Sequence, residues 1–207
     1  MDKITIKNKR LRLYLEYELN KSQDEDIFKE ELENITQIAI NGKSVSGEKL
    51  CNDLSDLVYF KNLKSCIIKD FFITDEEIEE INKLKKIEIL HFDNCKFENK
   101  YKKISLNIEK LIFSFCCNID MNLLDILEHT KYLRITSGDK INLDGIQKLV
   151  NIKELYLQSI NIKDISFVDE LYNLEYLNLN GSNILKNKKY INNLKAKVEY
   201  HKNNYPT

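Results

Sequence analysis

The chain has 207 residues, 43% of them apolar and 31% charged, with a formal net charge of −1. That is enough for one domain with a continuous core, and it leaves no overall polycation to hold nucleic acid or an anionic membrane. Five glycines, one proline and no tryptophan argue against a sandwich or barrel built on tight hairpins.

The first 21 residues carry charges throughout. They contain neither an apolar segment nor a small-residue cleavage site, so no secretory signal is read there. No run in the chain reaches the length of a membrane span. Residues 9–20 set Leu11, Tyr14, Leu15 and Leu19 at helical spacing, with Arg12 four residues before Glu16. The same stretch also alternates at Leu11, Leu13, Leu15 and Tyr17, the period of a strand. Residues 26–32 fit a second short helix, with acidic residues near its start where the helix dipole favours them.

From residue 36 onward an apolar pair recurs: Ile38/Ile40, Cys66/Ile68, Leu90/Phe92, Leu111/Phe113, Leu133/Ile135, Leu155/Leu157, Leu177/Leu179 and Val198/Tyr200. Successive pairs are 28, 24, 21, 22, 22, 22 and 21 residues apart. The pattern is clearest over residues 149–184, where an apolar residue falls at every third position between two such pairs. Neither a period of 3.6 nor a period of 2 gives that spacing. A coil of strand, turn and short tight helix does, because its inward positions return once per side. One strand per repeat, always in the same direction, makes a parallel sheet. In the longer early repeats the return segment has room for a helix. Thr74 and Glu77 form a capping box there, with Ile78, Ile81 and Leu84 following on one face. Residues 47–57 and 121–128 are the other helical candidates, and the later repeats have room for little beyond a turn.

These residues resemble the L-x-x-L-x-L-x-x-N-x-I pattern of the leucine-rich repeat family, in particular the 22-residue class of bacterial internalins. The resemblance implies an α/β fold: a right-handed leucine-rich-repeat solenoid with a parallel sheet on the concave face and an N-terminal helical cap. The cap is residues 1–35, the repeats are residues 36–202, and residues 203–207 form a loose tail. It favours helix over strand for residues 9–20. The sequence departs from the pattern at the repeat asparagine, whose place is taken by Lys43, Phe71, Cys95, Cys116, Gly138, Ile160 and Ser182. No asparagine ladder is expected, and the turns are expected to satisfy their backbone groups through other turns or water.

The five cysteines, Cys51, Cys66, Cys95, Cys116 and Cys117, are odd in number and lack a C-x-x-C pair. They read as mostly buried free thiols in a reducing, cytoplasmic compartment. The Lys-, Asn- and Ile-rich composition suits an AT-rich bacterial genome.

If the apolar pairs point inward, their neighbours in sequence point out onto the sheet's open face. Two patches follow. Ile67, Ile89 and Ile112 put β-branched apolar groups on a wet surface, beside His91. Further along, Tyr132, Tyr156 and Tyr176 surround Arg134, with Asn178 alongside. Aromatic residues and arginine dominate binding hot spots, whereas the plainer reading is that such side chains suit any sheet surface. His91 and Asp93 point the same way from one strand, but the register sets no Ser or Cys nucleophile beside them, Ser114 being the nearest. Cys95 falls where the turn begins, away from any metal ligation with these two. No catalytic, cofactor-binding or metal-binding residue is therefore assigned. A phosphate loop, a dinucleotide fingerprint and zinc-ligand spacing are all missing from the sequence. Residues 24–33 and 70–80 are acidic and residues 186–202 basic, which reads as solvated faces or as complementary ends.

The function expected is non-catalytic recognition of a protein partner, as an adaptor or inhibitor, by a monomer that binds neither nucleic acid nor membrane. The alternative is a secreted or surface adhesion module whose leader has been removed, and a remote one is an enzyme.

Overall fold

Every twenty-odd residues the backbone lays down one short strand, and eight of these stack in parallel. The computed structural model describes residues 2–42, 53–98, 100, 102–125 and 129–201, the Leu123 side chain excepted. Lys43, Cys51, the tail at 203–207 and most of the helix candidate at 47–57 lie outside those residues, as do residues 126–128.

In chain order the elements are β1 (Lys3–Ile4), α1 (Lys9–Glu18), β2 (Ile27–Phe28), β3 (Gln37–Asn41), β4 (Ser65–Lys69), β5 (Phe72–Ile73), α2 (Asp75–Ile81), β6 (Ile89–Asp93) and β7 (Lys96–Phe97). They continue with β8 (Lys110–Ser114), β9 (Tyr132–Thr136), β10 (Glu154–Gln158), β11 (Asn161–Ile162), β12 (Tyr176–Asn178), β13 (Asn183–Ile184) and β14 (Lys197–Glu199). The large sheet runs β3-β4-β6-β8-β9-β10-β12-β14. Its register aligns Leu90 with Leu111, Leu111 with Leu133, Leu133 with Leu155 and Leu155 with Leu177. All of these are buried, as are Ile40, Ile68, Phe92, Phe113, Ile135, Leu157 and Leu179, so the core is a continuous apolar column behind the sheet. Phe92 and Phe113 stack in it with ring centroids 5.4 Å apart, and Phe97 meets each edge-on.

The cap differs from the sequence expectation in its second half. Residues 9–20 do contain a helix, α1, whose Leu11 and Leu15 are sealed under it and whose Arg12 Nε lies 2.6 Å from Glu16 Oε1. Residues 26–32 do not make a second α-helix. Ile27 and Phe28 pair antiparallel with Lys3 and Ile4, and a 3₁₀ segment, Lys29–Asn34, follows. The β1–β2 ribbon takes Ile27, a fully buried β-branched residue, into a strand, and only the remaining stretch turns.

Asn8 and Asp56 lock the cap to the first repeats. Asn8 Oδ1 accepts from the N–H groups of Arg10 and Leu11 at 3.1 and 3.0 Å, which caps α1. Its Nδ2 donates to the Asn41 carbonyl at the end of β3, at 3.0 Å. Asp56, buried in a 3₁₀ turn at Ser55–Tyr59, accepts the backbone N–H of Lys7 at 3.0 Å and of Asn8 at 2.8 Å. Burial raises the Asp56 pKa, and the two N–H donors oppose that shift.

Past the sheet the return segments behave as their lengths allow. α2 is capped by Thr74, whose N–H donates to Glu77 Oε2 at 3.1 Å, and Ile78, Ile81 and Leu84 face the core. Later repeats carry 3₁₀ turns at Met121–Leu123, Ile146–Lys148, Ser166–Glu170 and Lys188–Asn193.

The place of the repeat asparagine is not empty of chemistry, contrary to the expectation above. Cys95 Sγ donates to the Ile68 carbonyl at 3.2 Å, and Cys116 Sγ donates to the Phe92 carbonyl at 3.3 Å while accepting the Cys95 N–H at 3.4 Å. Ser182 does the same three repeats later: Oγ donates to Leu157 O at 2.7 Å and accepts Ile160 N–H at 3.1 Å. Each side chain thus reaches back to the preceding repeat and satisfies one buried carbonyl, and Cys116 and Ser182 also satisfy an N–H. At Gly138 no side chain fits, because a Cβ there would sit 2.7 Å from the Cys116 carbonyl oxygen.

Candidate functional site

Alternation along each strand turns one set of side chains inward and the other onto the open face of the sheet. On β9, β10 and β12 that face carries three tyrosines. Tyr156 leans between its neighbours, its ring centroid 5.0 Å from that of Tyr132 and 5.2 Å from that of Tyr176. Cations line the row. Lys110 Nζ lies 4.2 Å from the Tyr132 centroid, the Arg134 guanidinium 5.7 Å from that of Tyr156, and Lys197 Nζ 5.7 Å from that of Tyr176. Arg134 is held in place by Gln158 Oε1 at 2.9 Å and Thr136 Oγ1 at 3.2 Å.

The polar groups beneath the rings are largely matched. Tyr156 donates its hydroxyl to Glu154 at 2.9 Å, and burial, then that carboxylate, push its pKa well up. Burial also raises Tyr132, against the pull of Arg134. Asn178 is buried. Its amide donates to the Tyr176 hydroxyl at 3.0 Å and Glu199 at 3.2 Å, and accepts from Gln158 at 3.1 Å. It stands under the tyrosine row as a support for it.

On the earlier strands the face turns apolar. Ile67 is 37% exposed on β4, and Ile89 and Ile112 are half-buried on β6 and β8. His91 sits in register with Ile67 and Ile112. Its Nε2 is 3.0 Å from Ser114 Oγ, a diagonal neighbour on β8, so the structure does bring a serine to this histidine, which the sequence register had not suggested. Asp93 does not complete a chain with them, since its carboxylate is bound to Lys69 Nζ at 2.7 Å. Burial lowers the His91 pKa, Asp93 opposes this, and Arg134 and Lys69 add to it. Cys95 points into the core, away from His91. Among the described residues no three His, Cys, Asp or Glu side chains are grouped to hold a metal.

One surface residue escaped the sequence reading. Phe115 follows Ser114 directly, is 59% exposed, and has φ +55°. The equivalent positions in the other repeats are Asp70, Asn94, Ser137, Ser159 and Gly181, all with positive φ. In each, the backbone N–H bonds the next repeat's strand, as Phe115 N does with Thr136 O at 2.9 Å, before the chain turns. The signal available was an aromatic where every sister position is small and polar or glycine.

Among the described residues, no helix is long and apolar enough to cross a membrane. The four described cysteines are free, three of them buried, and burial pushes the Cys66 thiol up to about 12.

No protein-family model matches the sequence, and no curated protein matches it. Solved structures do. The chain is similar to internalin C2 of Listeria monocytogenes at 17% identity and a TM-score of 0.59, covering 94% of this chain and 93% of that one. It is similar to the internalin InlF of the same species at 19% identity and a TM-score of 0.60, covering 93% of this chain and 64% of that one. The fold is therefore an internalin-like leucine-rich-repeat solenoid, and at these identities the likeness is one of fold.

Proposed function

We propose that this chain is a non-catalytic recognition module that binds a protein partner through the open, concave face of its large sheet. The observation that carries the reading is the contiguous row of Tyr132, Tyr156 and Tyr176 with Lys110 and Arg134 packed on the rings. Rings already held by one another lose little side-chain freedom on binding, and they combine apolar area with polar edges. Ile67, Ile89, His91 and Ile112 extend the same face with apolar surface. A leucine-rich solenoid presents this face as a long concave platform, which supports docking there. The chain acts as a monomeric adaptor or inhibitor in a reducing compartment, a reading supported by its free buried thiols. The test is capture from the native host, with bound proteins identified by mass spectrometry. A Tyr132/Tyr156/Tyr176→Ala variant that keeps its circular dichroism spectrum should lose the partner recovered by the wild type. Equal recovery by both rejects the site.

The internalin-like fold also supports a second reading, an adhesion module acting at a cell surface. The same capture separates the two, through whether the partner is intracellular or displayed on another cell.

A further inference from the structure

The tyrosine row and the isoleucine patch are adjoining halves of one surface, and their charge is not balanced. Of the carboxylates on that face, Asp93 is paired with Lys69 at 2.7 Å and Glu199 with Lys197 at 3.3 Å, while Glu154 accepts the neutral Tyr156 hydroxyl at 2.9 Å and keeps its charge, which offsets one of the two remaining cations. Lys110 and Arg134, on the central strands β8 and β9, have no carboxylate partner among the described residues. Each lies on a tyrosine ring and keeps donors free for a ligand. Arg134 is further fixed by Gln158 and Thr136, so its planar fork is oriented before anything binds. Beside these two cations lie Ile112 and Ile89 on the same face, and Phe115 immediately beyond β8. Phe115 N–H bonds the carbonyl of Thr136, two residues beyond Arg134 on β9, so the exposed ring follows the strand end and is not a register neighbour of the guanidinium.

We infer that the partner presents an acidic, apolar segment to this face: carboxylates to Arg134 and Lys110, and an aliphatic or aromatic side chain to Ile89 and Ile112. This rests on the face itself being the docking surface. A neutral or basic partner would bury Lys110 and Arg134 with neither paired to a carboxylate and with more cations than carboxylates around them, which is costly in a desolvated interface. An acidic one meets both while covering apolar surface that is otherwise wet.

The test uses the full chain, immobilised, and a displayed library of random peptides. Wild type should enrich peptides with Asp or Glu beside Leu, Ile or Phe, and their binding should weaken as salt rises. Lys110→Glu and Arg134→Glu should each weaken the selected peptides on the order of tenfold, and the double variant should abolish them. Lys163→Glu, beside β11 and off the large sheet, should leave them unchanged. Circular dichroism of each variant checks the fold. Enrichment of neutral or basic peptides that still require the three tyrosines overturns the acidic partner and leaves the docking face standing. Peptides indifferent to both the charge reversals and the tyrosine variant overturn both. Failure to enrich any acidic peptide also overturns the inference.

Discussion

Phe115 combines two costs that a stable fold has no reason to accept. An L-residue other than Gly, Asn or Asp in the left-handed region loses about 1–2 kcal/mol, and this one also leaves a large apolar ring in water. The chain contains its own control: Asn94–Cys95 occupies the same two positions one repeat earlier, with Asn94 at φ +52°. Phe115→Asn should therefore raise the free energy of unfolding by about 1 kcal/mol, read from urea denaturation. A drop in stability would show that the ring packs usefully and that the strain argument is misplaced. The contrast with its small, polar sister positions was in the sequence, but an aromatic next to a buried Cys reads first as one more apolar repeat position. The thiol ladder was missed for a related reason. Cys95 and Cys116 look like small apolar substitutes for asparagine, and only the geometry shows their Sγ atoms bonded to the carbonyls of Ile68 and Phe92. What could be read residue by residue was the inward set, since Leu111, Leu133, Leu155 and Leu177 announce themselves by spacing alone.

The elements that follow from period were predicted, and those that follow from contact with a distant segment were not. α2 has its whole signal inside eleven residues: Thr74 and Glu77 to start it, and Ile78, Ile81 and Leu84 to face it inward. The second half of the cap depends instead on Lys3 and Ile4, which pair with Phe28 and Ile27 across more than twenty residues and draw them out of a helix. The tie between cap and repeats is of the same non-local kind. Asp56 holds the N–H groups of Lys7 and Asn8, and Asn8 in turn caps α1 and bonds β3. Removing that carboxylate strands buried donors at the base of the helix. Asp56→Ala should cost about 3 kcal/mol in urea denaturation, as expected for orphaned donors to a charged acceptor. Glu88→Ala, which breaks only the exposed pair with Lys64, should cost under about 1 kcal/mol. Equal costs would mean that Asp56 carries no special share of the cap.

At the scale of the whole molecule, a stack of repeats is stable through its neighbours, so a repeat with one neighbour is the weakest. The two ends of the large sheet are not alike. β3 is covered by α1, and Leu11 and Leu15 are fully buried beneath that helix. β14, the last strand among the described residues, pairs only with β12. The apolar groups behind it, Leu194, Val198 and Tyr200, are only half-buried, and the buried Tyr200 hydroxyl has no hydrogen-bond partner among the described residues. Opening should therefore start at β14 and proceed inward, while β6, β8 and β9 open only with the whole fold. Native-state hydrogen exchange should show amides of β14 and the Lys188–Asn193 turn exchanging at least about tenfold faster than those of β8 and β9, a gap of about 1.4 kcal/mol in opening free energy. The cap side should be protected nearly as well as the centre. Because the tyrosine row runs from β9 to β12, its far end rests on the weaker half of the sheet. A ligand gripping all three rings should slow exchange in β12 and β14 more than in β4, since binding raises protection most where opening was easiest. Uniform exchange along the sheet would mean that the molecule opens as one unit and that its two ends are equally well sealed.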